Sequence, residues 1–350
     1  MFHFLDKITI SPVKYCLLSQ LMLVFLLFLP GCKDQQEYLL TGKTMGTIYH
    51  IKYHAGVLFD HQALRTAIEE KLKMINQSMS TFDPTSEISV FNKTSQTQKA
   101  MSISDEFYQV LMQANALYQM TEGSWDGTVK PLVNLWGFGH TSHPKEKPTR
   151  QDIQKCLESV GFHHISITDH VIEKKHPDVQ LNLASIAKGF GVDIVATVLD
   201  HFAVRQYLVE IGGEVFARGN KINGDPWRVG INRPKLQSAL DDVYYALPLK
   251  DKAIATSGDY RNYFLEGNTR YSHVIDPKTG YPVNNGVVSV SVIANNCTFA
   301  DGLATALMVM DVKKALILVN QLPDTECFLI KENQSKDGFD HYYSEGFPRE

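Results

Sequence analysis

The chain has 350 residues, 44% of them hydrophobic and 21% charged, which is enough to bury a substantial core. A net charge of -4 gives no electrostatic case for nucleic acid, and the five cysteines lack any Cys-x-x-Cys or Cys/His spacing suited to zinc or an iron–sulfur centre. No period of 20 to 50 residues recurs, which excludes a solenoid or propeller.

At the N-terminus Lys7 and Lys14 precede Tyr15 to Pro30, an apolar run too short for a comfortable membrane span and suited to a signal-peptide core. It ends in Leu29-Pro30-Gly31-Cys32, which resembles a bacterial lipobox with Cys32 as the lipidated first residue of the mature chain. A plain membrane anchor or ordinary secretion is the alternative, and in each case the body is exported. Residues 1 to 31 thus read as a lipoprotein signal peptide, 32 to 37 as a polar tether and 38 to 350 as the folded part. Cys156, Cys297 and Cys327 remain, so at most one disulfide can form.

Tyr38 to Tyr53 alternates as a strand, with Gly46 marking a bulge or the close approach of a ligand. From His61 to Met79, Leu64, Ile68, Leu72, Ile75 and Met79 space as the buried face of a helix. Asp83-Pro84 stops it, and the polar residues that follow can cap another turn. A second helix runs from Ser104, its N-cap, to Met120, burying Phe107, Leu111, Ala114 and Tyr118, with Asp105 and Glu106 at its positive end. Glu122 to Gly139 holds two tryptophans, Asp126 and several glycines, and forms either an aromatic-walled loop or a rigid core corner. His140 to Arg150 reads as an exposed excursion and Thr149 to Val160 as a short helix. Ile165 to Ile167 and Val171 to Lys174 make a hairpin, and Val179 to Leu183 a further strand.

A helix then starts near Ser185, with Ile186, Phe190, Ile194 and Val198 on one face. Its free N–H groups favour phosphate and Lys188 adds a cation, although lysine at such a position is also commonly just solvated. Tyr207 to Ile211 and Glu214 to Arg218 flank the turn Gly212-Gly213. Strands follow at Trp227 to Asn232, Val243 to Leu249 and Ala253 to Thr256. Tyr260 to Phe264 and Arg270 to Ile275 pair through the turn Leu265 to Asn268, which fixes His273 on a strand, and Asp276 to Gly280 form a second turn. Alone this is either a hydrogen-bonded hairpin or part of a site.

Val287 to Ala294 is a buried strand. Thr298 to Val309 is a helix apolar nearly all round except for Asp301 and Thr305, which face the same way. Magnesium ligation by oxygen would explain them, as would an ordinary side-chain hydrogen bond. A helix at Val312 to Leu322, a strand at Glu326 to Lys331 and a polar tail complete the chain. Helices and antiparallel hairpins mix without a βαβ rhythm, so the class is α+β, with mixed, largely antiparallel sheets and flanking helices.

Met45-Gly46-Thr47, Ser80 to Pro84, Asp126 to Gly139, Ala184 to Asp193, Glu210 to Glu214, Ala255 to Tyr263, Arg270 to Gly280 and Ala300 to Thr305 stand in the order found in bacterial FAD:protein FMN transferases. The chain resembles this family, the ApbE family, over roughly residues 38 to 330. The resemblance implies two α+β units sharing a flavin cleft, and magnesium-dependent transfer of the FMN half of FAD to a threonine hydroxyl of another protein, releasing AMP. It implies that Met45, Phe82, Ser124, Trp125, Asp126, Asn182, Lys188 and Ile275 line the FAD site. Mg2+ would be held by Asp301, Thr305 and the Ser185 carbonyl, and His273 would be catalytic, with Asp276 able to orient it. The family often has Tyr at the position of Phe82 and Asp at that of Asn182.

The implied acceptors are redox-pump subunits of the sodium-translocating NADH:quinone reductase type, and the implied location is the periplasmic side of a membrane, the inner one favoured. An FAD carrier, or a pyrophosphatase giving FMN and AMP, are the alternatives. The residues themselves support phosphoryl chemistry, because a metal, a lysine and a helix N-terminus neutralise phosphate charge and a histidine, with its ordinary pKa near ~6.5, can accept a hydroxyl proton.

Overall fold

A computed structural model describes residues 35–139, 147–235, 242–259, 263–266, 269–333 and 338–349. The leader with Cys32, most of the 140–150 excursion, Tyr260 to Asn262 and the turn residues Gly267 and Asn268 lie outside the described residues. In chain order the strands are β1 (Gln35–Thr44), β2 (Thr47–Gly56), β3 (Met101–Ser102), β4 (Ile165–Thr168), β5 (Val171–Lys174), β6 (Tyr207–Ile211), β7 (Glu214–Arg218), β8 (Trp227–Asn232), β9 (Val243–Leu249), β10 (Lys252–Gly258), β11 (Tyr263–Glu266), β12 (Thr269–Ser272), β13 (Val287–Ala294), β14 (Glu326–Glu332) and β15 (Phe339–Tyr343). The helices are α1 (His61–Met79), α2 (Glu87–Lys93), α3 (Asp105–Met120), α4 (Lys130–Leu135), α5 (Arg150–Leu157), α6 (Ala184–His201), α7 (Cys297–Val309) and α8 (Val312–Asn320).

One antiparallel sheet in the order β1-β2-β6-β7-β10-β13-β14-β15 forms the frame. Its register pairs Gln35 with Gly56, Tyr53 with Tyr207 and Tyr207 with Arg218. The start of β1, the end of β2, the start of β6 and the end of β7 therefore share one end of the sheet. The hairpin turns Met45-Gly46 and Gly212-Gly213 share the other.

β13, VVSVSVIA, is buried at every position because both faces of the sheet are covered, and this turns strand alternation into a continuous apolar run. On one face lie α6, α7 and α3, packing Phe190, Val195, Leu303, Leu307 and Phe107 against Val290 and Val292. On the other, the β8–β9 hairpin and Phe347 cover Val215, Ile254, Val288 and Phe328. A smaller cluster of Leu132, Trp136, Ile153, Val160 and Ile275 joins α4 and α5 to the Asp276–Gly280 turn. That turn is seated closely: Trp136 Nε1 donates to the Gly280 carbonyl at 2.8 Å, and a Cβ on Gly280 would lie 2.5 Å from Ile153.

Several expectations change. Met45 and Gly46 are not a bulge but a two-residue hairpin turn with φ of 48° and 72°, so one alternating stretch becomes two paired strands. β1 begins at Gln35, which takes the last residues of the expected tether into the sheet. Val179 to Leu183 form no strand: only Gln180 bridges to Val129, while Asn182 N–H donates to Gly127 O at 2.7 Å and Leu181 N–H to Asn92 Oδ1 at 2.6 Å. The β11–β12 ladder ends at Ser272, so His273 follows the strand rather than lying in it. The polar tail contains β15, and Phe347 is buried. Cys156, Cys297 and Cys327 are all free thiols.

Lys174 is 1% exposed, with its Nζ 4.9 Å from the Phe91 ring centroid and donating to the Pro177 carbonyl at 3.4 Å. Burial pushes its amine down to about 8, partly opposed by Asp178 and helped by Lys130. Because the unfolded chain holds this proton more tightly, Lys174 costs stability below pH 8, and the cost fades as pH rises towards the ordinary lysine value. Lys174→Met is expected to stabilise the fold at pH 7 by about 1–3 kcal/mol. It should also flatten the rise in urea midpoint above pH 8.

Candidate active site

The floor of the site is the contact between α6 and α7. A Cβ on Gly189 would lie 2.4 Å from the Cys297 carbonyl oxygen and 2.9 Å from Asp301 Cβ, so the two helices touch backbone to side-chain base. Asp193, one turn further along α6, accepts the Cys297 N–H at 2.7 Å, the Thr298 N–H at 2.8 Å and the Thr298 hydroxyl at 2.5 Å. A carboxylate from one helix thus caps the positive end of the other and fixes their register. Burial raises the Asp193 carboxyl, and these hydrogen bonds oppose the rise.

This register turns Asp301 towards the first turns of α6. Asp301 is 3% exposed, and its Oδ2 accepts the Gly189 N–H at 3.0 Å. That amide is the one whose regular i to i−4 partner is the Ser185 carbonyl. Burial pushes the Asp301 carboxyl up to about 6, and Lys188 draws it back. One turn on, Thr305 Oγ1 lies 2.9 Å from Ser257 Oγ of β10, so the polar face of α7 meets the sheet.

Lys188 extends from α6 to Glu214, the first residue of β7, and Nζ donates to Oε1. Glu214 is 2% exposed, and its Oε2 has no hydrogen-bond partner. Burial, then Asp301, push the Glu214 carboxyl up, while Lys188 pulls it down. For Lys188 burial works against the charge, but Asp301 and Glu214 together outweigh it and hold the ammonium. Lys188 thus pairs directly with Glu214 and acts on Asp301 through space, and two buried carboxylates beside one ammonium favour a further cation.

The other walls bring in residues distant in sequence. Trp125 Nε1 donates to Ser185 Oγ at 3.0 Å. Asp126 accepts the Thr128 N–H at 2.8 Å and hydroxyl at 2.6 Å; burial pushes it up to about 6 against these bonds. Asn182 Oδ1 accepts the Ala184 N–H at 3.1 Å at the start of α6. Phe82 is 83% exposed at the rim, on a loop pinned by Ser86 Oγ donating to Ser80 O at 2.6 Å. The His273 ring stands edge-on to Phe138 at 6.4 Å, and Ile275 is bridged to Pro282.

These residues enclose a single cleft of about 910 Å³ lined by Phe82, Ser124, Trp125, Asp126, Asn182, Ser185, Lys188, His273, Ile275, Asp301 and Thr305. Met45 is not in its lining; it occupies the neighbouring hairpin turn, with its Cε against Gly191. The Asp276 carboxylate accepts the Lys278 N–H and the Thr279 hydroxyl, each at 2.9 Å, and so staples its own turn. Trp125 and Trp136 are both 2% exposed, so both tryptophans are core; of the two only Trp125 reaches the cleft, which the segment also lines with Ser124, Asp126 and Phe138. Sequence reasoning did not single out Glu214, Lys130 or Ser257 as lining residues. The signal for Glu214 was a carboxylate opening an otherwise apolar strand directly after a Gly-Gly turn.

Among the described residues no group of three or more His, Cys, Asp and Glu side chains is placed to hold a metal. The donors present are instead an aspartate, a hydroxyl and helix-start backbone beside the orphaned Glu214 Oε2, an all-oxygen set that fits a hard divalent cation such as Mg2+.

A cleft with ionisable and oxygen-donor groups among its lining and the exposed Phe82 at its rim is a small-molecule site with both polar and apolar walls. A family profile matches residues 45–329, and the chain belongs to the ApbE family. A protein of Vibrio cholerae named FAD:protein FMN transferase is 41% identical over 330 residues, 93% of this chain and 96% of that protein. One of Haemophilus influenzae with the same name is 40% identical over 299 residues, 83% of this chain and 86% of that protein. The solved flavin transferase ApbE from Vibrio cholerae superposes with a TM-score of 0.80 at 39% identity, covering 90% of this chain and 99% of that one. The apo flavinyl transferase ApbE of Pseudomonas stutzeri superposes with a TM-score of 0.80 at 32% identity, covering 89% and 96%.

Proposed function

We propose that this chain transfers the FMN moiety of FAD to a threonine hydroxyl of an acceptor protein and releases AMP. The observation that carries this reading is the convergence of Lys188, Asp301, Thr305 and the start of α6 on one cleft floor, with His273 and Ile275 above them. Lys188 and the helix start meet the diphosphate, and the exposed Phe82 offers apolar surface to the flavin rings. The acceptor oxygen attacks the phosphorus on the FMN side, a new P–O bond forms, the bridging P–O bond breaks, and its electron pair leaves on AMP. His273 takes the hydroxyl proton.

Asp301, Thr305 and the Ser185 carbonyl would hold Mg2+, which when bound supplies neutralisation of phosphate charge. The chain acts on the exported side of a bacterial membrane, the inner one favoured, held there through Cys32. Its acceptors are redox-pump subunits whose threonines face that side.

His273→Ala is expected to lower flavin transfer by about 10²–10⁴-fold, the usual worth of a general base, while FAD binding by fluorescence quenching is retained. Full activity in this variant removes His273 from the mechanism, and loss of FAD binding makes it a binding residue instead.

A further inference from the structure

The turn that joins β2 to α1 is unusual in composition. Phe59 N–H donates to Gly56 O at 3.0 Å, which closes a β-turn with Val57 and Leu58 at its two central positions. Gly, Pro, Asn, Asp and Ser dominate such positions. Here they are Val57 and Leu58, 68% and 98% exposed. The apex does not float free of the fold, because Phe59 packs on Tyr53 at 6.0 Å and on Phe202 at 6.3 Å. His61 Nδ1 is 2.7 Å from the Tyr53 hydroxyl. Asp60, the adjacent acid, is turned back onto α1, where it accepts the Ala63 N–H at 2.9 Å.

The register places this turn beside the N-terminal end of the sheet, because Gly56 is the partner of Gln35. In sequence, the apolar run Tyr15 to Pro30 passes through Cys32 almost directly into Gln35. The same end of the sheet carries Ile222, 53% exposed, in the β7–β8 connection.

We infer that the Val57-Leu58 turn inserts into the lipid surface beside the chain's own anchor and sets the orientation of the sheet on the membrane. This rests on reading the leader and Cys32 as a membrane attachment. β2 has ten residues, so its far end stands about 30 Å away at ~3.3 Å per residue. The Met45-Gly46 turn, Gly212, Lys188 and Glu214 lie at that far end. The cleft is therefore held away from the bilayer, and an acceptor must lift its hydroxyl by about that distance to reach it.

The native tryptophans Trp125, Trp136 and Trp227 are each 2% exposed, so an added surface indole can be read separately. The full chain carrying Leu58→Trp is reconstituted into phosphatidylcholine/phosphatidylglycerol vesicles with lipids brominated near the headgroup. The added emission is expected to fall about twofold or more, as for a side chain ~5–10 Å into the interface. Ile48→Trp, an exposed position near the other end of β2, is expected to be unquenched. Failure of the wild-type chain to sediment with vesicles overturns both the anchor and this inference. Sedimentation with an unquenched Trp at position 58, or equal quenching at position 48, overturns the inference alone.

Discussion

Lys188→Met is expected to lower flavin transfer by about 10²–10³-fold, the range seen when one group that stabilises developing charge is removed. It should also destabilise the fold by about 3 kcal/mol, the low end for breaking a buried pair, since the Lys188 side chain is 30% exposed. The two effects have one source. Glu214 is 2% exposed with Oε2 already unpartnered, and Asp301 is 3% exposed and raises the Glu214 carboxyl, so without the ammonium two buried, mutually repelling carboxylates lose their counter-charge. Adding Glu214→Gln to Lys188→Met removes one of those charges. The double variant should recover most of the stability in urea melts and none of the transfer. A double variant no more stable than Lys188→Met would show that the pair is not the source of the loss.

Gly189→Ala is expected to damage both the fold and the site. A helix-interior alanine is normally better than glycine by about 1 kcal/mol. Here the added carbon would meet the Cys297 carbonyl oxygen at 2.4 Å and Asp301 Cβ at 2.9 Å, and the first of these is backbone that cannot rotate away. Overpacking of this kind costs about 1–3 kcal/mol or more, so a net loss of about 2 kcal/mol is expected. The helix separation that accommodates the methyl also pulls Asp301 from the Gly189 N–H, so activity should fall further than stability. Gly191→Ala, two residues along, meets the flexible Met45 Cε at 2.5 Å and the end of the Ile211 side chain at 3.3 Å, with no backbone atom among its nearest neighbours, and is the control. Equal urea midpoints for the two variants would contradict the close α6–α7 contact.

Much of this fold is legible in the residues themselves. α1 falls at His61–Met79 as read, because Leu64, Ile68, Leu72 and Ile75 are all core and Asp60 caps the start. β6, β7, β8, β9 and β13 also fall where alternation, apolar runs and the Gly-Gly turn place them. The misses have local causes. Met45 adopts a φ of 48° that non-glycine residues rarely take, so its turn resembled an interrupted strand. Val179 to Leu183 has strand composition but bonds to Asn92 and Gly127 instead of a ladder.

Within the site, the oddity of Asp301 and Thr305 on an apolar helix was visible locally. The Lys188–Glu214 pair was not, because it joins residues 26 apart through the sheet register. The roles of Phe82, Asn182 and Ile275 came only from family resemblance. The structure adds that they line the same cleft as Lys188 and Asp301.

The most direct measurement is mass spectrometry of a threonine-bearing acceptor domain incubated with the purified chain, FAD and Mg2+, with AMP quantified in the same mixture. The account predicts an FMN-sized mass increase on threonine, one AMP per modified acceptor, and loss of both products on adding a chelator or on His273→Ala. Unmodified acceptor with intact FAD would contradict it in favour of a carrier, and AMP with free FMN but no modified acceptor in favour of a hydrolase.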